Sequence, residues 1–574
     1  MCTPLLIEIK SADALLHRFI NSTSAMWNRW ILYSSILTAF ISLSACGGGS
    51  SGGSGVVDQL TTPSDIFTYE PGEFRNKTTF QNYCATPDLA SRERQGQIAD
   101  ENNFLRSWTH ETYFWSEDVQ DLNPFDYSDP VAYFNRLITD QVDSDGELLD
   151  QFHFSIDSDV FFNEIVTGVS VDYGIAWEFA SLTPPRSAVV RYVEPGSPAD
   201  LAGVERGFSL STIARIGEDP VSFISSNNVD LLNAALFPEQ GAASFEFGFS
   251  NSESITLRAE EITRSPVLLS DIITIPGTDT QGESTAGYLV FNDHAYRSEF
   301  ELPQAIEQFA DADVDDLILD LRYNGGGLLY IASQLSYMIG GDNTDGKAFS
   351  EMVVNDRLNN RDPSTGDLIR PEPFIERYLA IGPDATPQQI ELRGNRLPTL
   401  NLNRVYVITS ADTCSASEAI INGLVGADVE VVQIGTTTCG KPYGFYPTSN
   451  CGTTYFSIQF QNVNDKGFGD YAAGFTPGNF AVEQFSATTP ATLPGCEAAD
   501  DLIYALGDSR ESSLAASIAY IQNGTCPAAS SLAQTSAEQL SRQKGSLQPN
   551  AGSGEAISPP RRLLPGAIAE PGRH

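Results

Sequence analysis

Strand-like apolar runs alternate with helical stretches between Val267 and about Tyr504. The strand-like runs are Ala286–Phe291, Asp316–Leu321, Arg404–Thr409 and Glu430–Ile434, and the helical stretches are Leu302–Ala310, Leu328–Met338 and Ser415–Leu424. Such alternation indicates βα units, whose strands form a sheet that the helices cover. The chain is therefore predicted to be a multidomain α/β protein, with a layered α/β core domain at residues 263–526.

Two modules precede this core. From Gln81 to Ile165 apolar residues recur at helical spacings, which predicts an N-terminal helical domain with an aromatic stripe on one face. The stripe consists of Phe104, Leu105, Trp108 and Trp115. From Val166 to Ile262 the sequence changes to short β-branched and aromatic runs, and only Val229–Phe237 is amphipathic. This second module is predicted to be β-rich with a single helix.

The chain is strongly acidic, with 33 Lys and Arg residues against 74 Asp and Glu residues in a total of 574, a net charge of −41. A surface of this sign repels nucleic-acid phosphates and anionic lipid headgroups, which argues against nucleic-acid binding and against attachment through basic patches. Hydrophobic residues make up 41% of the chain, enough for the three or four domains that its length predicts at ~150 residues each. Residues 527–574 contain few large apolar side chains and are predicted to be a disordered tail.

The N-terminal segment has a pattern that predicts an export signal. A charge-free apolar run from Trp30 to Ser42 follows Arg29 and ends in small residues before Cys46. The run is shorter than the about 20 residues of a spanning helix. Residues 1–45 resemble a bacterial lipoprotein signal with its expected start at Met26, which implies lipidation of Cys46 and a flexible tether at residues 46–80. A plain cleavable signal or an uncleaved anchor is the alternative, and Gly47 after the cysteine favours the outer membrane.

An exported chain meets an oxidising compartment, where cysteines form disulfides. Besides Cys46 the exported part holds six cysteines, which are Cys84, Cys414, Cys439, Cys451, Cys496 and Cys526. None lies in a Cys-x-x-Cys pair or beside a histidine, which argues against zinc. Six cysteines allow fifteen pairings. Proximity along the chain predicts the pairs Cys439–Cys451 and Cys496–Cys526.

The β-rich module resembles a PDZ domain in two places. Tyr173, Gly174, Ile175 and Ala176 stand where that family has its carboxylate-binding loop. The stretch Val189–Ala199 followed by Ala202–Val204 is similar to the family's hydrophobic strand and G-S-P-A-x-x-A-G segment. The resemblance implies that a peptide C-terminus binds as an added strand, with its carboxylate on the loop. A β-rich spacer between other domains is the alternative.

Two segments of the α/β core offer groups that could stabilise negative charge. In Asp320–Gly327, D-L-R-Y-N-G-G-G, a strand runs into three glycines, whose backbone N–H groups can point into a cavity unobstructed. Ser415–Glu418 follows the strand Arg404–Thr409 and opens a helix, where the helix dipole stabilises an alkoxide. Ser415-x-x-Glu418 is also a capping box, which explains both residues without catalysis.

The third segment, Gly435–Lys441, follows the apolar strand that ends at Ile434. The chain has only six lysines, and Lys441 is held between Gly440 and Pro442. Partial burial is expected to lower the pKa of this lysine toward neutrality, which makes it usable as a general base. An anion-binding or surface lysine is the alternative.

In this order and behind a PDZ-like module, the three segments resemble the C-terminal-processing, or tail-specific, serine proteases, which use a Ser-Lys dyad. The family's D-L-R-x-N-x-G-G, S-A-S-E and T-x-G-K motifs are matched by Asp320–Gly327, Ser415–Glu418 and Thr438–Lys441. The resemblance implies Ser415 as the nucleophile and Lys441 as its base. It also implies an oxyanion hole formed by the N–H of Ala416 and that of Gly326 or Gly327.

The predicted function is that of a lipid-anchored periplasmic endopeptidase that recognises the free C-termini of proteins. It needs no metal or cofactor, and its oligomeric state is left open. Phe445 stands where the family often has a glutamine that orients the lysine, so a third catalytic residue is not assigned. That absence favours one alternative, a catalytically inactive scaffold that binds peptides through its PDZ-like module. Another alternative is a Ser-His-Asp hydrolase with His294 as base, although a lone histidine at a strand end is more often structural.

Overall fold

The computed structural model describes residues 61–142, 146, 148–162, 168–238, 243–250, 254–278, 282–383, 385–482, 490–527 and 556–557. The predicted signal region, Cys46 and residues 46–60 of the predicted tether lie outside these residues, as does most of the predicted tail. Within the described part of the chain, no helix combines the length and the apolar character needed to cross a membrane.

One unit comprises residues 61–158, 354–368 and 445–459. Its helices are Pro63–Ile66, Ile98–Thr112 and Pro130–Phe134, and its strands are Tyr83–Cys84, Arg94–Gln95, Phe154–Asp157, Thr448–Asn450 and Thr453–Phe456. The last three strands form an antiparallel sheet with Thr453–Phe456 in the middle. A core of mostly aromatic side chains joins these elements, and it contains Phe80, Phe104, Leu105, Trp108, Tyr133, Phe134, Leu137 and Tyr455.

The prediction of a largely helical domain at residues 81–165 is wrong outside Ile98–Thr112 and Pro130–Phe134, because most of the remaining backbone is turn or irregular. The stripe is buried at Phe104, Leu105 and Trp108, but Trp115 lies beyond the helix end. Prolines at positions 124 and 130 restrict the residues before them to extended conformations, which prevents long helices there.

The predicted tether is also folded where it is described. Residues 63–66 form a helix, and the backbone N–H of Ser64 donates to Asp100 at 2.7 Å. Phe80 is 2% exposed within the aromatic core. The described part of the predicted tether is therefore packed against the rest of this unit.

The second unit comprises the described residues of the ranges 159–353, 369–444 and 460–574. Its β-rich module has the strands Val169–Asp172, Ile175–Ser181, Ser187–Val193, Leu210–Arg215, Val221–Ser222, Ser244–Phe249, Ile255–Arg258 and Glu260–Thr263, and the helices Pro198–Leu201 and Val229–Leu236. Strands 255–258, 244–249, 210–215 and 221–222 form one antiparallel sheet in that order. The helix Val229–Leu236 corresponds to the predicted amphipathic stretch Val229–Phe237 and ends one residue earlier. Ile557, in the predicted tail, is buried against this module, and its N–H donates to Leu182 O at 3.2 Å.

A six-stranded sheet forms the core of the second unit. Its strands, in chain order and also in spatial order, are β1 Val267–Ile275, β2 Ser284–Phe291, β3 Asp316–Asp320, β4 Arg404–Thr409, β5 Glu430–Gly435 and β6 Gly495–Glu497. The associated helices are α1 Ser298–Asp311, α2 Leu329–Gly340, α3 Ala416–Gly426 and α4 Ser512–Asn523. All neighbouring pairs are parallel except β1 with β2. The predicted alternation is therefore observed, and β4 has the predicted bounds.

The remaining α-helices and strands are short. They are the helices Ser158–Val160 and Pro387–Glu391, and the strands Ala348–Val354, Glu372–Pro373, Tyr443–Gly444, Phe460–Val463, Thr476–Pro477 and Thr492–Leu493.

Three disulfides link the six cysteines as Cys84–Cys451, Cys414–Cys439 and Cys496–Cys526. The predicted pair Cys496–Cys526 is confirmed, and the predicted pair Cys439–Cys451 is wrong. The adjacency of β4 and β5 explains the difference, because it brings the residues after each strand together although 25 positions separate them.

Candidate active site

The carboxyl ends of β3, β4 and β5 carry the three predicted segments. β3 leads into the glycine loop, β4 leads to Ser415 at the start of α3, and β5 leads to Lys441. Because these strands are parallel neighbours, their carboxyl ends lie at the same edge of the sheet. The loops therefore meet: the N–H of Cys414 donates to Asn324 O at 3.1 Å, and the N–H of Cys439 donates to Thr413 O at 3.0 Å.

Ser415 lies at a sharp turn between a strand and a helix. It is the residue before α3 and is half-buried, and its backbone has φ 56° and ψ −113°. A side-chain-bearing residue adopts such a conformation only at a cost of about 1–3 kcal/mol, and conformations of this kind cluster at functional sites. In α/β-hydrolases a strained strand-to-helix turn presents the serine nucleophile.

Ser417, the other serine of the S-A-S-E motif, has a structural role. Its Oγ donates to Asn324 O at 3.0 Å, and the residue is 0% exposed. A hydroxyl engaged in this way is not available to attack a substrate. Ser415 is therefore the better candidate for the nucleophile.

Glu418 joins the serine segment to the lysine segment. Its Oε2 accepts hydrogen bonds from the backbone N–H of Ser415 at 2.9 Å and from that of Lys441 at 2.8 Å. Its Oε1 accepts from the Thr438 hydroxyl at 2.6 Å and from the Gly440 N–H at 2.8 Å. Burial raises the pKa of Glu418, and these hydrogen bonds oppose the rise. One buried carboxylate thus fixes the backbones of both predicted catalytic residues.

Gly440 fixes the turn that carries Lys441, whose side chain is half-buried. The glycine has φ +84°, and a Cβ there would lie 2.1 Å from the Ala472 carbonyl oxygen. Only glycine fits this conformation and this approach. The backbone of Lys441 therefore enters the site along a constrained path.

The glycine loop packs directly against the nucleophile. Gly326 has φ +100°, and a Cβ there would lie 2.8 Å from Ser415 Cβ and 2.9 Å from the Ala416 nitrogen. Asn324 anchors the loop, because its Oδ1 accepts from the Gly326 N–H and its Nδ2 donates to Phe291 O, both at 3.0 Å. The backbone of the loop thus lies next to the nucleophile, and a side chain at Gly326 would prevent this close approach.

Of the backbone donors predicted for an oxyanion hole, Gly326 is occupied, because its N–H donates to Asn324. Within the described chain, the N–H groups of Gly327 and Ala416 have no hydrogen-bond acceptor. The N–H of Ala416 also lies at the N-terminus of α3, where the helix dipole favours negative charge. Ala416 and Gly327 are therefore the donors that this geometry leaves available.

Within the described residues, His294 forms no hydrogen bond with Ser415. It is 1% exposed, and its Nδ1 lies 3.0 Å from Asn324 Oδ1. Its backbone brackets the glycine loop, since its N–H donates to Gly326 O and its carbonyl accepts from the Leu328 N–H. Burial lowers the pKa of His294 to about 4, although the bond to Asn324 opposes this. The histidine is a neutral support of the loop.

Replacing His294 with glutamine is expected to change how stability depends on pH. The folded pKa of about 4 lies below the value of 6.5 for an unperturbed histidine, so the unfolded chain binds more protons between these pH values. The histidine's contribution is present above pH 6.5 and is lost as pH falls to 4, by about 3 kcal/mol. The difference in free energy of unfolding between wild type and His294→Gln should therefore shrink toward pH 4 in denaturant titrations. A constant difference across this range would contradict the assignment.

Arg322, also in the first motif, is the centre of a buried charge network. It is 1% exposed and forms ion pairs with Asp320 at 2.8 Å, Glu511 at 2.7 Å and Asp500 at 3.2 Å. Burial alone would raise the pKa of Asp500, but Arg206 and Arg322 outweigh it and lower that pKa to about 2. This network fixes the end of β3 from which the glycine loop begins.

Phe445 is a packing residue of the first unit. Its ring contacts those of Phe154 and Phe456 in edge-on geometry, with centroids 6.3 and 5.3 Å apart. A phenyl ring cannot accept the hydrogen bond by which a glutamine would orient a lysine. The position four residues after Lys441 therefore serves packing in this chain.

Two groups of side chains within the described residues lie close enough together to hold a cation. They are Cys414, Glu418 and Cys439, and Asp500, Asp501 and Glu511. In the first group the two sulfurs are bonded to each other, and in the second Asp500 and Glu511 both face Arg322. Neither group offers a free set of ligands in this state.

Comparison with known proteins defines the class of the core domain. Residues 285–447 match the model of peptidase family S41, and residues 100–155 match the peptidase S41 N-terminal domain. These are domains of serine peptidases, a class of hydrolases. The chain carries both domains of family S41, and it is homologous to carboxyl-terminal-processing proteases.

Two curated relatives and one solved structure illustrate the likeness. The carboxyl-terminal-processing protease of Picosynechococcus sp. (strain ATCC 27264 / PCC 7002 / PR-6) is 24% identical over 248 residues, which cover 43% of this chain and 49% of that protein. Carboxyl-terminal-processing peptidase 2, chloroplastic, of Arabidopsis thaliana is 27% identical over 163 residues, which cover 28% of this chain and 30% of that protein. The chain thus spans about half and about a third of these relatives' lengths. An S41 protease structure from Bacteroides fragilis NCTC 9343 has a TM-score of 0.51 at 21% identity, covering 73% of this chain and 97% of that one.

The likeness to the solved structure shows the fold. It confirms the prediction of a mixed α/β multidomain protein, to which the N-terminal match adds the S41 N-terminal domain. The boundaries predicted between the modules stay predictions.

Proposed function

We propose that the chain is a serine endopeptidase of the C-terminal-processing type, with Ser415 as nucleophile and Lys441 as general base. One observation carries this proposal. The backbones of Ser415 and Lys441 donate hydrogen bonds to the same buried oxygen of Glu418. Two segments that follow different strands are thus held together at a single atom. Within the described residues, the nearby N–H groups of Ala416 and Gly327 have no hydrogen-bond acceptor.

In the proposed reaction Ser415 Oγ attacks the scissile carbonyl carbon, and Lys441 Nζ accepts the hydroxyl proton. The negative charge that develops on the carbonyl oxygen is stabilised by the N–H groups of Ala416 and Gly327. Each such donor contributes about 10²- to 10³-fold in rate. Lys441 returns the proton to the leaving amine, and then deprotonates the water that hydrolyses the acyl-enzyme.

The β-rich module is proposed to act as a PDZ-like site for the substrate's C-terminus. Within the described residues its strand Ile175–Ser181 pairs on one side only, with Ser187–Val193, so its other edge can accept an added strand. A pocket beside this strand is lined mainly by apolar side chains, with Arg264 and Asp172 as charged members. The lining residues are Asp172, Tyr173, Ile175, Trp177, Leu236, Phe237, Pro238 and Arg264. Arg264 is ion-paired with Asp172 through Nη2 at 2.6 Å, but within the described residues its Nε has no hydrogen-bond partner. Apolar walls beside this remaining donor suit a C-terminal residue with an apolar side chain and a free carboxylate.

The predicted loop Tyr173–Ala176 borders this pocket, but its first N–H donor is occupied. The Gly174 N–H donates to Asp172 Oδ1 at 2.5 Å, and Tyr173 is buried in the module. We therefore assign carboxylate recognition to the Ile175 end of the loop together with Arg264.

The proposed location is the periplasmic side of the cell envelope, through lipid on Cys46. The three disulfides support a compartment that is oxidising. The substrates would then be periplasmic proteins with exposed C-termini.

Cleavage of a peptide with an apolar, free C-terminus tests the proposal, with its C-terminally amidated twin measured in parallel. Wild type is expected to cleave the free acid in preference to the amide. Ser415→Ala and Lys441→Ala are each expected to lower kcat/KM by at least about 10³-fold, because each removes a group that takes part in bond formation or proton transfer.

Ser417→Ala is the matched control, since it removes a neighbouring hydroxyl with a structural partner. It should retain most of the kcat. Equal loss in Ser417→Ala and Ser415→Ala, or full activity in Lys441→Ala, would refute the dyad. Peptide binding without cleavage by wild type would instead identify an inactive scaffold.

A further inference from the structure

A disulfide joins the two halves of the candidate dyad. Cys414 immediately precedes Ser415, and Cys439 lies two residues before Lys441. Their Cα atoms are 5.2 Å apart, and the bond closes a loop of only 25 residues. It is therefore a direct covalent connection between the segment that carries the nucleophile and the segment that carries the base.

The base segment has no regular structure of its own to hold it. The backbone is neither helix nor strand from residue 436 to residue 442. Its position relative to α3 depends on hydrogen bonds to Glu418, on the bond from the Cys439 N–H to Thr413 O, and on the disulfide. Reacting groups that move apart by about 1 Å lose on the order of 10²-fold in rate. Of these links, only the disulfide is covalent, so the thermal motion that breaks hydrogen bonds does not break it.

We propose that Cys414 and Cys439 are positioning residues of the peptidase reaction, and that reduction of their disulfide turns the activity down. The proposal rests on the proposed Ser-Lys function. It deepens that function by making the geometry of the dyad depend on the redox state of one bond.

The exposure of the two sulfurs determines how reduction proceeds. Cys439 is half-exposed, whereas Cys414 is 1% exposed. A thiolate of a dithiol reductant attacks Cys439 Sγ, forms a mixed disulfide there and displaces Cys414 as a thiolate. The second thiol of the reductant then attacks the reductant's first sulfur, which is bonded to Cys439 Sγ in the mixed disulfide. Cys439 is released, and the reductant leaves as an oxidised cyclic disulfide.

The released thiol of Cys439 would also disturb Glu418. Its Sγ lies 3.3 Å from Glu418 Oε2, the oxygen that already accepts from Ser415 and Lys441. A new S–H donor competes for this acceptor. Reduction thus removes the covalent link and weakens the shared hydrogen-bond acceptor at the same time.

The chain contains a matched control disulfide. Cys496–Cys526 closes a loop of 30 residues, close to the 25 of Cys414–Cys439. Loops of such similar length constrain the unfolded chain almost equally. Cys496 lies in β6, where its Cα partner is Ile434 of β5, and Cys526 follows α4, so this bond does not join the segment of Ser415 to the segment of Lys441. The two pairs therefore differ mainly in what they connect.

The experiment compares the full chain with Cys414→Ala/Cys439→Ala and with Cys496→Ala/Cys526→Ala. For peptide hydrolysis we expect kcat to fall at least tenfold in the first variant with KM within about twofold, and kcat to change less than about twofold in the second. Wild type treated with dithiothreitol, with free thiols located by alkylation and mass spectrometry, should lose activity in step with reduction of Cys414–Cys439 and regain it on reoxidation. This reduction arm decides the question if the first variant does not fold.

Amide hydrogen exchange gives a readout that does not depend on catalysis. In the reduced protein, faster exchange at the Ser415 and Lys441 amides with unchanged exchange in β1–β4 supports the positioning role. Equal kcat with both thiols demonstrably free, or unchanged exchange at these amides, would overturn it. If oxidised wild type cleaves no peptide, the proposed function fails, and the exchange result still decides whether the disulfide positions the two segments.

Discussion

Replacing Glu418 with glutamine is expected to lower kcat for peptide hydrolysis by about 100-fold or more while KM changes little. Four hydrogen-bond donors face this carboxylate, the N–H groups of Ser415 and Lys441 at Oε2 and the Thr438 hydroxyl and Gly440 N–H at Oε1. A glutamine must turn its NH₂ toward one of these pairs, so at least one backbone N–H loses its acceptor and faces another donor. Either Ser415 and Lys441 lose their common anchor, or the turn at Gly440 that carries Lys441 loses its own, and misplacement of this kind has a large effect on rate.

Glu299 provides the matched control for this prediction. It is a buried carboxylate in α1 that accepts from the backbone N–H groups of Leu379 and Ala380 and from the Gln334 amide, and burial raises its pKa. Glu299→Gln should therefore lower stability to a comparable degree while kcat stays within a few-fold. If both variants lose activity in proportion to their stability, Glu418 has no specific role in the site.

Replacing Arg322 with methionine is expected to lower the free energy of unfolding by about 3–5 kcal/mol. The substitution leaves the carboxylates of Asp320 and Glu511, both 0% exposed, without their cation. Breaking a buried ion pair from one side has this large effect because it leaves an uncompensated buried charge. Denaturant titration of the folded protein measures the change directly.

An exposed ion pair supplies the contrast. Arg510 pairs with Asp508 at 2.5 Å on the surface, with the arginine side chain 69% exposed. Because solvent screens such pairs, Arg510→Met should leave the unfolding midpoint unchanged. Similar losses in the two variants would show that the buried network contributes no more than a surface pair.

The local patterns predicted the elements that carry the site. Alternating apolar runs and helical stretches indicated β4 and α3 to within two residues, because each is long and regular enough to show its own period. Such patterns do not distinguish the two serines, and the prediction chose Ser415 over Ser417 only by its position in the motif. The hydrogen bond from Ser417 to Asn324, 93 residues away in sequence, supplies the physical reason.

What the sequence does not show are contacts between distant segments. Ser415-x-x-Glu418 is a local capping pattern, and nothing in it indicates that Glu418 also holds Gly440 and Lys441 from the next strand's loop. The pairing of Cys414 with Cys439 likewise depends on the adjacency of β4 and β5. A strand order of this kind follows from packing of the whole sheet and leaves no local signal.

The sequence also does not distinguish Gly326 from Gly327 as the glycine donor of the oxyanion hole. Both glycines fit the motif equally well, and only the position of the Asn324 side chain decides which N–H is occupied. The aromatic spacing failed in a different way. It predicted the buried stripe at Phe104, Leu105 and Trp108, but extended it to Trp115 because spacing alone does not show where a helix ends.

The proposed function requires Ser415 to be a nucleophile activated by Lys441. A serine-reactive phosphonate tests it directly, because it forms a covalent adduct only with an activated hydroxyl and its position can be found by peptide mapping with mass spectrometry. We expect one adduct per chain, on Ser415, and none in Lys441→Met. An adduct on another residue, or equal labelling of Ser415 in Lys441→Met, would contradict it.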